Sequence, residues 1–186
     1  MAAPSAAQLA LRHARVEALT AYRHARLLAH KAGLRLRPPR AIMHATRPSA
    51  LQRWTRVWQR HVRSYRRLVF REMRGKRAVR AALSQLGTPY AWGGASPAGF
   101  DCSGLVMWAY QHAGISLPHS TWAMMSVGRP VSRRNLRPGD LVFSEGGGHV
   151  GIYIGHGVVV HSPHSGTVVE RSPLRSWAVA ALRRVF

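Results

Sequence analysis

Residues 140–162 read DLVFSEGGGHVGIYIGHGVVVHS, and this stretch decides the fold. Three apolar runs, Asp140–Ser144, His149–Gly155 and Val158–Ser162, are separated by Gly146-Gly147-Gly148 and by Gly155-His156-Gly157. Connections this short join antiparallel neighbours, because parallel strands need a long crossover. In the middle run Val150, Ile152 and Ile154 alternate with Gly151 and Tyr153, the period of a half-buried strand. Val168-Val169-Glu170 and Ala178–Val185 are expected to complete a small antiparallel sheet. Upstream, Arg77–Leu86 reads as a helix ended by Gly87, and Asp101–Ala113 as a helix closed by Gly114. Gly93-Gly94 and Pro97–Gly99 mark loops. Helices first and strands after give an α+β domain, expected over residues 79–186, rather than alternating βαβ units.

The first 78 residues are of another kind. The chain of 186 residues carries 28 Lys and Arg against six Asp and Glu, a formal +22. Twenty of those basic residues, but two of the acids, lie within the first 80 positions. Residues 4–33 predict one helix, stopped by Arg37-Pro38-Pro39-Arg40 because proline cannot continue the ladder. Leu51, Trp54, Trp58, Val62, Tyr65, Val69 and Met73 recur on one face of a second helix, with arginines over the remainder. That apolar stripe is expected to pack on the following domain or to lie on an anionic surface. The excess charge favours an anionic partner, whether nucleic acid, membrane surface or acidic wall polymer. No recognition motif accompanies the arginines, so no specific nucleic acid is expected. No apolar stretch approaches the about 18 residues that cross a bilayer. Arg and His interrupt the first 26 residues, where a signal peptide needs an apolar core.

The chemistry centres on Phe100-Asp101-Cys102-Ser103-Gly104-Leu105. Cys102 is the one cysteine, so no disulfide forms within the chain. A helix opening here points free N–H groups and the positive end of its dipole at the sulfur, which favours thiolate. The same N–H groups can receive an oxyanion. A nucleophile also needs a base, itself oriented by a third polar group. His149 opens one strand and His161 ends the next, so an antiparallel hairpin brings both to one end of the sheet. His119 follows a proline in a loop and reads as an ordinary residue. A Cys/His/His set with this wide spacing and no fourth ligand is not a zinc site.

LGTPYAWGGASPAGFDCSGLVMWAYQHAGISLPHST (86–121) and LRPGDLVFSEGGGHVGIYIGHGVVVHSPHSG (136–166) together resemble the NlpC/p60 family of cell-wall cysteine peptidases, in order and spacing. The most specific elements are Pro89-Tyr90 with Trp92-Gly93-Gly94, Asp101-Cys102-Ser103-Gly104, Pro138-Gly139-Asp140-Leu141 and His149-Val150-Gly151. The resemblance implies a papain-like fold, a small antiparallel sheet packed on helices, with the basic helical arm in front. It implies Cys102 as nucleophile, His149 as general base and His161 as the residue orienting His149. Tyr90, Asp101 and Ser103 would contact substrate or the oxyanion, with Asp101 pairing a free amine of a stem peptide. The implied substrate is a peptidoglycan stem peptide, cut between γ-linked D-glutamate and a diamino acid, with no metal or cofactor. The other readings are an amidase that frees the stem from glycan and a binding module that has lost catalysis. The implied place is the cell wall or the extracellular space of a bacterium, with cytoplasmic and phage-associated settings as alternatives.

Overall fold

The computed structural model describes residues 4–31, 35–36 and 45–186. The expected break at Arg37–Arg40 lies outside the described residues. Two compact units divide the chain, 1–71 and 72–186.

In the first unit, α1 (Ala6–Lys31) buries Ala14, Ala18, Tyr22, Ala25 and Ala29, three to four residues apart along one face. Small side chains at most of these positions let a second helix approach closely. That helix is the first part of α2 (Pro48–Leu83), and the apolar stripe packs here: Leu51 and Trp58 are buried, with Trp54, Val62 and Tyr65 against them. Tyr22 meets Trp58 edge to face, ring centres 5.2 Å apart. The stripe from Leu51 to Tyr65 thus has its partner within the basic arm itself, while Met73 stays exposed. The arginines of α2 do not enter this apolar cluster.

Sequence reading expects separate helices before and after Gly75, yet α2 runs through it without a break. The glycine is there for a close approach. A Cβ at Gly75 would sit 2.8 Å from Pro138 O and from the Phe186 ring. Gly139, at φ +101°, packs its own backbone on Gly75 from the other side.

The second unit adds β1 (Ala95–Ser96) and β2 (Gly99–Phe100), α3 (Cys102–Gln111), α4 (Thr121–Met125), and a six-stranded antiparallel sheet. Its strands are β3 (Arg129–Pro130), β4 (Leu141–Ser144), β5 (His149–Gly155), β6 (Val158–His161), β7 (Glu170–Pro173) and β8 (Ala181–Arg184), in spatial order β3-β8-β4-β5-β6-β7. Val150, Ile152 and Val160 join Leu105, Val106, Ala109 and Tyr110 of α3 in the main core. Val142, Val159 and Leu174 form a smaller cluster with Tyr153 and Trp177. Val168 and Val169, expected to begin a strand, instead pair with Pro89 and Thr88, and the strand proper starts at Glu170. This seats Val169 in the core and leaves Glu170 directly opposite His161.

One buried ion pair ties the end of β8 to the chain before β4. Arg184 donates from Nε and Nη2 to the two oxygens of Asp140, each at 2.6 Å, and both residues are buried. Backbone N–H of Arg137 adds a third donor to the carboxylate at 2.7 Å. A bidentate pair supported by a further hydrogen bond is the geometry that offsets desolvation.

Candidate active site

Cys102 is the first residue of α3, and the side chain of Asp101 caps that helix. Asp101 Oδ1 accepts from Gly104 N–H at 2.6 Å and from Ser103 Oγ at 3.0 Å, while Oδ2 accepts from Gly93 N–H at 3.0 Å. His119 Nε2 lies 3.0 Å from both oxygens. The carboxylate therefore fastens the helix start to the Trp92-Gly93-Gly94 loop, and His119, unremarkable in the sequence, is part of the fastening. Glycine at 104 makes the junction feasible: a Cβ there would fall 1.9 Å from Gly94 O. Tyr90 sits close enough to Cys102 and Asp101 that burial first, and then their negative charge, push its hydroxyl pKa up. Trp92, at the tip of this loop, is 91% exposed.

The helix start alone suggests a lowered thiol pKa; the structure reverses that sign. Burial of the half-buried Cys102 pushes the thiol up and Asp101 adds to it, outweighing the N–H groups of Val150, Ser103 and Cys102 that pull it down. At rest the sulfur is therefore a neutral thiol among N–H donors. The Val150 contact places it beside β5, at the residue following His149.

The antiparallel β5–β6 pair brings the two histidines together, His149 Nε2 lying 2.9 Å from His161 Nδ1. Trp177 packs on both rings, at 5.2 Å from His149 and 4.9 Å from His161. It also covers Gly151, where a Cβ would fall 2.9 Å from the indole. Excluding water from one side of the pair strengthens the hydrogen bond it covers. Burial lowers the pKa of His149, and Glu145 only partly offsets this. Burial, then His149 and His164, take His161 down to about 4. Both rings are neutral at pH 7, the state a general base requires. With Nε2 of His149 engaged by His161, its Nδ1 is left outside that pair.

Among the described residues, no group of three or more His, Cys, Asp or Glu side chains is arranged to hold a metal ion. A capped helix that opens on a cysteine and an antiparallel hairpin that carries a histidine pair mark this α+β fold, and comparison with known proteins gives it a family. The model of the NlpC/P60 family matches residues 87–183, over half of the chain, and the protein belongs to that family. It is 58% identical over 99 residues to a probable endopeptidase of Mycobacterium tuberculosis, covering 53% of this chain and 26% of that protein. It is 33% identical over 150 residues to the peptidoglycan endopeptidase RipA of the same organism, covering 73% of this chain and 29% of RipA. Among solved structures, RipD of Mycobacterium tuberculosis is described as a non-catalytic NlpC/p60 domain protein adapted to peptidoglycan binding. It superposes with a TM-score of 0.54 at 33% identity, over 61% of this chain and 98% of that one. The chain thus spans between a quarter and a third of the length of these two curated relatives.

Proposed function

We propose that the protein is a peptidoglycan endopeptidase that cuts stem peptides, at the bond between γ-linked D-glutamate and a diamino acid, through a thioester on Cys102. His149 Nδ1 takes the thiol proton as sulfur attacks the carbonyl carbon. The oxyanion that forms is received by N–H groups at the start of α3. His149 then returns the proton to the leaving amine as the C–N bond breaks, leaving the acyl thioester. Water attacks next, giving a proton to His149, and as the C–S bond breaks His149 passes that proton to the departing sulfur, releasing the acid and restoring the thiol. A neutral thiol beside a neutral imidazole suits this order, since charge separates only when a carbonyl is present to accept the sulfur.

The observation that carries the reading is the 2.9 Å bond that holds His149 beside the strand contact of Cys102. The names of the endopeptidase relatives support the substrate class. RipD keeps a second reading in play, a wall-binding module without catalysis, and an amidase would use the same atoms. No described helix is long and apolar enough to cross a membrane. The proposed place of action is the cell wall, where the arginine-rich arm would hold the enzyme on anionic polymers.

Purified sacculi incubated with the wild-type chain and with Cys102→Ala, followed by mass analysis of the soluble products, test the proposal. Stem fragments from the wild type, and at least a roughly thousandfold slower release from the variant, are expected. Intact stems freed from glycan would make it an amidase, and no release with retained sacculus binding would make it a binding module.

A further inference from the structure

A row of four groups, three of them used above, ends on one that has been given no role. For His149 to receive a proton on Nδ1, its own hydrogen must lie on Nε2, and that Nε2–H then donates to His161 Nδ1 across 2.9 Å. A neutral His161 that accepts at Nδ1 carries its hydrogen on Nε2. Nε2 is enclosed and has no hydrogen-bond partner among the described residues. Directly across the β6–β7 ladder stands Glu170, its Oε1 3.8 Å from that nitrogen.

We propose that Glu170 is a positioning residue for the reaction, fixing the tautomer of His161 and, through it, the orientation and basicity of His149. At 3.8 Å the carboxylate acts by charge rather than as a hydrogen-bond acceptor. Its side chain is half exposed, at 52%, so it has rotamer freedom to close the gap when His149 becomes charged. Both histidines, Glu170 and Trp177 line one open cleft of about 310 Å³. Glu145 and His164 are the other titratable groups facing it, and among the described residues no arginine or lysine lines it to neutralise Glu170. Burial, with His149 and His164 beside it, keeps the resting His161 neutral, so the influence of this carboxylate falls on the imidazolium formed during attack, which is the state catalysis must stabilise.

The proposal rests on the nucleophile–base reading above but not on the substrate, and its test has one readout free of substrate. Glu170→Gln, Glu170→Ala and Glu170→Asp, each in the full chain, would be compared with the wild type by histidine ¹⁵N spectroscopy across pH. The neutral wild-type His161 is expected to carry its proton on Nε2. In Glu170→Gln and Glu170→Ala the His149–His161 pair should titrate roughly half a pH unit lower, because a negative charge that favours the imidazolium is gone. Glu170→Asp should stay closer to the wild type. On sacculi, kcat should fall roughly three- to tenfold in Glu170→Gln with KM little changed, and the acid limb of the rate profile should move down with the pair. A wild-type proton on Nδ1 overturns the proposal, as does a pair that titrates identically in Glu170→Gln, or a Glu170→Asp variant displaced as far as Glu170→Gln. If the wild type leaves sacculi intact, the endopeptidase reading falls while the spectra still decide the role of Glu170.

Discussion

Keeping two histidines neutral inside the fold makes the second unit sensitive to mild acid. His161 titrates near 6.5 in an unfolded chain and near 4 in the folded one, so between these values the unfolded chain binds the extra proton. Stability from this residue is fully present above about pH 6.5 and is lost as pH falls toward 4, the His149 shift adding in the same direction. At about 1.4 kcal/mol per pH unit, the span corresponds to an upper bound of about 3 kcal/mol. Solvent access and coupling to His149 bring the expected loss to about 1–2 kcal/mol, a large share of a marginal stability. The perturbation is His161→Gln, which keeps a polar side chain of similar reach and removes the titration. Urea unfolding, followed through the amide signals of Val150 and Val160, would be measured at pH 7 and pH 4.5 for both proteins. The wild type should lose more stability than the variant over this interval, by about 1–2 kcal/mol. Equal losses in the two proteins would refute the reasoning, because the buried ring would then not be what binds the proton.

Two further outcomes follow from the helix start. Because burial holds the Cys102 thiol above its ordinary range, iodoacetamide should alkylate it more slowly at pH 7 than it does an unstructured cysteine peptide, with the rate climbing at higher pH. Faster reaction than the peptide at pH 6 would show a thiolate already formed at rest. Asp101→Ala removes the cap of α3 together with the anchors to Gly93 and His119, and should cost about 2–3 kcal/mol by urea unfolding. A loss below about 0.5 kcal/mol would mean that these bonds are replaced by water at no penalty.

Much of the site could be read from the sequence because its signals are local. The glycine turns and the alternation of Val150, Ile152 and Ile154 mark the β5–β6 hairpin, and the hairpin brings His149 to His161. Cys102 is legible because Asp101, a strong capping residue, stands immediately before it. What escaped depends on contacts distant along the chain. The break expected between Met73 and Arg77 is absent because Gly75 packs closely against Pro138 and Phe186 within one continuous helix. His119 lies 18 residues from Asp101, with nothing in its spacing to announce the bond. Trp177 and Glu170 reach the histidines from later elements, and neither a lone tryptophan nor an acid on a sheet edge carries a pattern of its own. The sign of the Cys102 shift was hidden for the same reason, since the helix terminus is a local cue and burial is not.

The 1.9 Å that a side chain at position 104 would have from Gly94 O limits how this site can change by mutation. Any residue larger than glycine two places after the sulfur must first displace the carbonyl of Gly94, and with it the loop that Asp101 holds through Gly93. The loop and the helix start can therefore vary only together. Trp92, which projects into solvent, can by contrast be exchanged without moving the helix start.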